Sequence, residues 1–329
     1  MKAVFGAMNI GEPGDGRTRV HTIEQASQMV DLFKSYGHKD LDTARVYGNG
    51  SSEEFLGQMD LSSFNIDTKL FPSAANPSVA FAKTAYHHTP SDLRRGLLES
   101  LAALKVSKVH VWYLHSPDRT VPFEETLREV NKLHEEGYFE KLGISNYQSW
   151  EVATICDICD QNGWTKPSIC QGIYNAFHRA VEPELLRCLR HHGISFYCFN
   201  PLAAGMLTSR YSRDKPDTVT GGRFDPATNA GNLTRRRYYH DVYFDALDVL
   251  RPVAKKHGIT EVECALRWLS HHSQLKDELG DGIVIGFSSV EQLDENLRAI
   301  AGGPLPQEVG DALNSGYEII RGNQLIYWH

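Results

Sequence analysis

The sequence contains no run of about 18 consecutive apolar residues, so no membrane-crossing helix is expected. It also lacks an excess of basic charge. The formal net charge is −7 at pH 7, which argues against a large nucleic-acid-binding face or a polybasic membrane surface. The opening residues KAVFGAMNIG are too short and too glycine-rich for a secretory leader, and a cytoplasmic protein is expected. Cysteines are few, six in 329 residues. Cys156 and Cys159 have CxxC spacing inside the helix-like run EVATICDICDQNG, with no second such pair, so packed thiols are expected rather than zinc or thioredoxin chemistry. His87 and His88, His191 and His192, and His271 and His272 are adjacent pairs, and HEEG at 134 is not HExxH. No metal is expected from such spacings.

No low-complexity linker divides the chain, and a single domain over residues 1–329 is expected. Short apolar runs alternate with helical patterns along it. The strand-like runs are AVFGAMNI (3–10), HKDLDTA (38–44), NIDTKLF (65–71), VHVWYLH (109–115), YFEKLGISNY (138–147), SICQGIYN (168–175), ISFYCFNP (194–201) and GIVIGF (282–287). Helical spacing follows nearly all of them. The run at 51–59 opens Ser-Ser-Glu-Glu, a cap with an acidic first turn, and the helix over 91–105 opens on Ser91. Eight strands joined by helical crossovers predict parallel pairing and a (β/α)₈ barrel. A doubly wound sheet is the competitor, but FGAMNIGEPGDG after the first strand carries no GxGxxG in register. Residues 72–90 and 208–240 read as long loops on the C-terminal rim, and 241–275 holds two helical patterns where the repeat needs one.

Polar residues end these strands. The second offers Asp42, with Tyr47 just beyond; the third Lys69; the fourth His115; the fifth Ser145 and Asn146; the sixth Gln171; the seventh Asn200. Each charged residue interrupts an apolar run (DLDTA, DTKLF, WYLHSP), and burying a charge is costly unless it is paired.

The set LDTARVYG, DTKLF, YLHSPD, LGISNY and QGIYN resembles the aldo-keto reductase superfamily. The long segments QGIYNAFHRAVEPELLRCLRHHGISFYCFNPLAAGMLTSRY and GDGIVIGFSSVEQLDENL are similar to its aflatoxin-aldehyde and succinic-semialdehyde reductase branch. The resemblance implies a barrel enzyme that reduces an aldehyde or ketone with NADPH, and a homodimer. It implies a tetrad of Asp42, Tyr47, Lys69 and His115. Tyr47 would give the proton, Lys69 would lower the phenol's pKa, Asp42 would hold Lys69, and His115 would bind the substrate carbonyl.

For the nucleotide, the resemblance implies Ser145, Asn146 and Gln171 at the carboxamide, and Phe199 stacked on the nicotinamide. Asn200 to Arg210, including Leu202 and Gly205, would follow the pyrophosphate. Ser288, Ser289 and Gln292 would hold the 2′-phosphate, with Glu295 and Asn296 nearer the adenine. Ser288 and Glu291 also have capping-box spacing. No Lys or Arg occurs in this segment before Arg298, which leaves Arg210 or Arg223 to supply a cation. Arg237 matches the branch's arginine for acidic substrates. The ending QLIYWH replaces the branch's aromatic pair and terminal arginine, so Trp328 points to a larger or more hydrophobic carbonyl compound. The rival readings are a dedicated secondary-metabolite pathway reductase and a weakly catalytic, NADPH-sensing barrel like a channel subunit.

Overall fold

The computed structural model describes residues 1–14, 17–75, 84–213 and 222–328. Eight parallel strands close into a ring in chain order: β1 Lys2–Gly6, β2 Asp40–Asp42, β3 Asn65–Leu70, β4 Val109–Leu114, β5 Phe139–Ser145, β6 Pro167–Ile173, β7 Ser195–Phe199 and β8 Gly282–Ile285. The ring shuts where β1 pairs with β8, Val4 opposite Val284. The fold is the expected (β/α)₈ barrel.

Period-two alternation sorts the side chains. Ala3 and Phe5 of β1 join the large apolar cluster between barrel and helices, while Val4 joins a smaller cluster with Val111, Tyr113, Ile169, Tyr197 and Val284 that fills the barrel's inside. The inside is tight. A Cβ added to Gly143 would come within 2.3 Å of the Tyr113 ring, so β5 needs glycine there.

The outer helices are α1 Ile23–Ser35, α2 Ser51–Leu56, α3 Pro90–Leu104, α4 Phe123–Glu135, α5 Ser149–Asn162, α6 Leu185–His191, α7 Asn229–Tyr238, α8 Asp241–Lys256, α9 Glu261–His271, α10 Val290–Ala301 and α11 Gln307–Ile320. Several expectations need correction. Thr89, not Ser91, caps α3, with Pro90 in its first turn, where proline's missing N–H costs nothing. The 208–240 segment is not all loop, because α7 forms within it, capped by Thr228. Of the two patterns in 241–275, α9 packs beside α10 and α8 packs chiefly on α11. Helix α11 escaped the sequence reading. Its buried face is Val309, Gly310, Ala312, Leu313, Gly316 and Ile320, and it packs on α8. Residues 76–83 and 214–221 of the two long rim segments, and His329 of the tail, lie outside the described residues.

Candidate active site

Asp42 closes β2, and the chain then runs on beside β3 through Thr43 N–H to Asp67 O (2.9 Å) and Arg45 N–H to Lys69 O (3.0 Å). It next turns sharply. Gly48, Asn49 and Gly50 all take left-handed backbone, at φ 55°, 55° and 98°. A Cβ on Gly48 would meet Ser51 Oγ at 2.4 Å. This turn folds Tyr47 back toward Lys69, whose Nζ lies 5.0 Å from the centre of the Tyr47 ring.

Arg45 and Glu53 hold the turn. The Arg45 guanidinium donates to Glu53 Oε2 at 2.5 Å, and Thr68 Oγ1 donates to Glu53 Oε1 at 2.6 Å. The Glu53 side chain is 0% exposed. It lies in the acidic first turn as expected, and it also ties the Tyr47 turn to the strand that carries Lys69. Ser51 and Ser52 are likewise not caps. Gly50 stands at the N-cap, and Ser51 Oγ donates to Gly48 O while Ser52 Oγ donates to Ala7 O. Glu53→Gln keeps the shape but removes the charge-assisted bond. It is expected to cost about 1–3 kcal/mol, read by urea denaturation at pH 7.5.

Lys69 is fully buried, its Nζ donating to Asp42 Oδ2 at 2.6 Å and to Thr43 O at 2.7 Å. Gln171 Nε2 donates to the other Asp42 oxygen at 2.8 Å. Burial alone would lower the Lys69 pKa, but Asp42 and Tyr47 beside it win, and the net direction is upward. The ammonium therefore stays charged. For Tyr47, burial pushes the phenol up, the Lys69 ammonium pulls it back, and Asp42 adds to the rise. The net direction is again upward. The expected lowering by Lys69 is present, but burial outweighs it. Desolvation of the phenolate outweighs one ammonium that Asp42 already half-neutralises.

His115 follows β4 and completes the group. Its ring stands edge-on to Tyr47 at 5.7 Å and to Phe71 at 5.4 Å between centroids. Asn146 takes a left-handed φ of 65°, and its Nδ2 donates to His115 O (2.9 Å) and Ser145 Oγ (3.1 Å). Asn146 Oδ1 is buried with no hydrogen-bond partner among the described residues. Phe199, half-buried, ends β7 against the inner cluster. The next turn is strongly bent, with Asn200, Ala203, Ala204 and Gly205 all at positive φ and Leu202 half-buried between them.

At α10, Ser289 is the N-cap, its Oγ accepting from Gln292 N–H at 3.3 Å. The expected Ser288–Glu291 box does not form: Gln292 Oε1 accepts from Ser288 N–H (2.8 Å) and Oγ (2.9 Å), one residue before the cap. Asn296 is buried and donates to Gly286 O (3.2 Å); Glu295 is exposed. Arg298 pairs with Asp294 at 2.6 Å. Arg210 is exposed over the Tyr211 ring, and Arg223 is half-buried. Arg237 on α7 engages the Tyr238 phenol, whose pKa burial pushes up to about 12. Trp328 lies against Arg119, which Glu151 anchors at 2.7 Å. Tyr327 pins that tail, donating to Glu184 at 2.6 Å and accepting from Ser149 N–H at 3.2 Å.

A buried ammonium beside a phenol and an imidazole can move a proton to an oxygen held between them. The chain matches the Aldo/keto reductase family over residues 2–318. It is 47% identical to the aldo-keto reductase pigE of Monascus ruber over 332 aligned residues, spanning 99% of this chain and 96% of that protein. It is 40% identical to human aldo-keto reductase family 7 member A3 (96% and 94%) and 38% identical to human aflatoxin B1 aldehyde reductase member 4 (96% and 93%). With that match running from the first strand into the last helix, the chain belongs to the aldo/keto reductase family, whose members are oxidoreductases that act on carbonyl groups.

Proposed function

We propose that the chain, as one domain, reduces an aldehyde or ketone to an alcohol with NADPH, with Tyr47 as proton donor. The observation that carries this is the buried Asp42–Lys69 pair, its Nζ 5.0 Å from the Tyr47 ring. When bound, the reduced nicotinamide supplies the hydride. His115 holds the carbonyl oxygen near the Tyr47 hydroxyl. A pKa above the ordinary phenol value keeps Tyr47 protonated through neutral pH, so the donor is always loaded. As charge gathers on the substrate oxygen, the phenol gives up its proton, and Lys69 stabilises the phenolate left behind. Asp42 keeps Lys69 aimed and charged.

Several residues fit the nucleotide. The orphaned Asn146 Oδ1 suits an amide N–H, and Ser145 and Gln171 complete a carboxamide pocket. Phe199 offers a ring face at the barrel mouth, and the turn through Asn200, Leu202 and Gly205, left-handed at Asn200 and Gly205, suits backbone amides to phosphate. The α10 N-terminus, with Ser288, Ser289 and Gln292, suits the 2′-phosphate, with Arg210 or Arg223 as its cation and Glu295 and Asn296 at the adenine. Arg237 and Trp328 would serve the substrate side. The aromatic tail favours a bulky apolar carbonyl compound over a small acidic one. The protein works in the cytoplasm as a homodimer.

Turnover of graded aldehydes and ketones, with NADPH and NADH in parallel, tests this reading. The expected result is oxidation of NADPH in preference to NADH, fastest with bulky apolar carbonyl compounds. A preference for NADH would overturn the cofactor assignment, and a best rate with small carboxylated aldehydes the substrate class.

A further inference from the structure

A second acid sits below the Asp42–Lys69 pair. Asp67 and Lys69 are two apart on β3, so both side chains point into the barrel. Asp67 is 1% exposed and lies directly across the ladder from Asp42. Two carboxylates side by side in such a place do not both ionise cheaply. Their compensation is unequal. Asp42 has Lys69 and Gln171, one on each oxygen. Asp67 has a single side-chain bond, His110 Nδ1–H donating to Oδ1 at 3.1 Å, and Oδ2 has no partner among the described residues.

The other groups facing Asp67 do not settle its charge. Asp40 and Asp42 on β2 oppose a further negative charge, and Lys69 is committed to Asp42. Tyr113 on β4 and Tyr197 on β7 both have phenols pushed up by burial and by these acids, so neither ionises. Lys2 on β1 is bonded to Tyr197 at 3.0 Å. His110, near the start of β4, is 16% exposed, so Asp67's one side-chain partner is itself not fully buried. Lys69 in turn feels the Asp67 charge.

We propose that Asp67 and His110 form a proton-holding pair beneath Lys69, and that the charge on Asp67 governs how strongly Lys69 acidifies Tyr47. Asp67 is a positioning residue, not a catalytic one, and the proposal rests on the reading of Tyr47 as proton donor. Ionised Asp67 cancels part of the Lys69 field and leaves the phenol a weaker acid. Protonated Asp67 restores that field, and proton donation speeds up. Burial raises the Asp67 carboxyl to about 6, within the range where cells and assays operate. The enzyme then carries a pH response set from inside the barrel rather than by its proton donor.

The test is kcat/KM against pH for wild type, Asp67→Asn and His110→Ala. Wild type is expected to gain about three- to tenfold between pH 7.5 and 5, with an inflection near the Asp67 pKa. Asp67→Asn should flatten the profile at the acid level. His110→Ala removes the bond that favours the carboxylate, so its inflection should move to higher pH. Infrared spectra of the nucleotide-free protein supply a readout independent of turnover: a protonated-carboxyl band present at pH 5, fading toward pH 7.5, and absent in Asp67→Asn. An unchanged inflection in Asp67→Asn, or no titrating band in wild type, would overturn the proposal even if Tyr47→Phe is inactive. A Tyr47→Phe variant that keeps its rate would overturn this proposal together with the proton-donor reading.

Discussion

Tyr47→Phe is expected to lower kcat/KM for carbonyl reduction by about 10³–10⁴-fold while leaving the fold and nucleotide binding intact. The ring keeps its packing: Phe retains the edge-on contact with His115 and the face presented to Lys69. Only the hydroxyl leaves. On the proposed reading His115 remains to orient the oxygen, and water does not replace a donor already held against it. The loss should appear in kcat, with KM changing by less than about threefold, because the proton moves only in the transition state. Stopped-flow nucleotide binding and steady-state turnover check the two halves separately. A variant with wild-type kcat would sink the mechanism.

Lys69→Met has the second largest expected effect, and it strikes stability as well as rate. Methionine fills similar volume, but Asp42 keeps only Gln171, with Asp67 across the ladder. Breaking one side of a fully buried pair costs about 3–5 kcal/mol. The sign with pH follows from which group is stranded. In the wild type the raised Lys69 pKa keeps the pair intact below the ordinary lysine value, and its contribution is lost only as pH rises through the folded value. In the variant a buried Asp42 carboxylate stands without its cation, which favours the neutral carboxyl. The deficit is therefore full at pH 7.5 and shrinks on acidification, as the carboxyl takes up a proton. Urea denaturation at pH 7.5 and pH 5 checks this; a deficit that grows at pH 5 would contradict it. The rate should fall by about 10²–10³-fold, because the phenolate loses its neighbouring cation.

The barrel was legible because its signal is repetition: eight short apolar runs, each with a helix after it, and no rival fingerprint. Asp42, Lys69 and His115 were visible as charges that had no business in apolar runs. Asp67 gave the same signal, two residues before Lys69, and passed as the polar start of a strand. Its partner His110 lies 43 positions away, and pairing across strands leaves no local trace. The partners of Glu53 were hidden for a similar reason. An acid in a helix's first turn is commonplace, and nothing nearby shows that Thr68 and Arg45 will enclose it. The pull of Lys69 on the Tyr47 phenol was foreseen, but the burial that opposes it was not, because depth of burial cannot be read along a chain. The proposed nucleotide end rests on resemblance alone, since Ser288 read equally well as a helix cap.

The closed ring also sets a schedule. β1 finds its second neighbour only in β8, so residues 2–6 wait for residues 282–285. At roughly 5–20 residues per second, that wait lasts on the order of 15–55 s during synthesis. Until then the growing sheet has two open edges, both able to recruit a stray strand. Asp42 and Lys69 are made early and sit near one of those edges, next to β1. For that interval a charged pair destined for the driest part of the protein stands beside water, and its mutual attraction is weakest just when the chain is most exposed to mispairing. Chaperone demand in a producing cell should track the time to complete β8 more closely than the final stability of the enzyme.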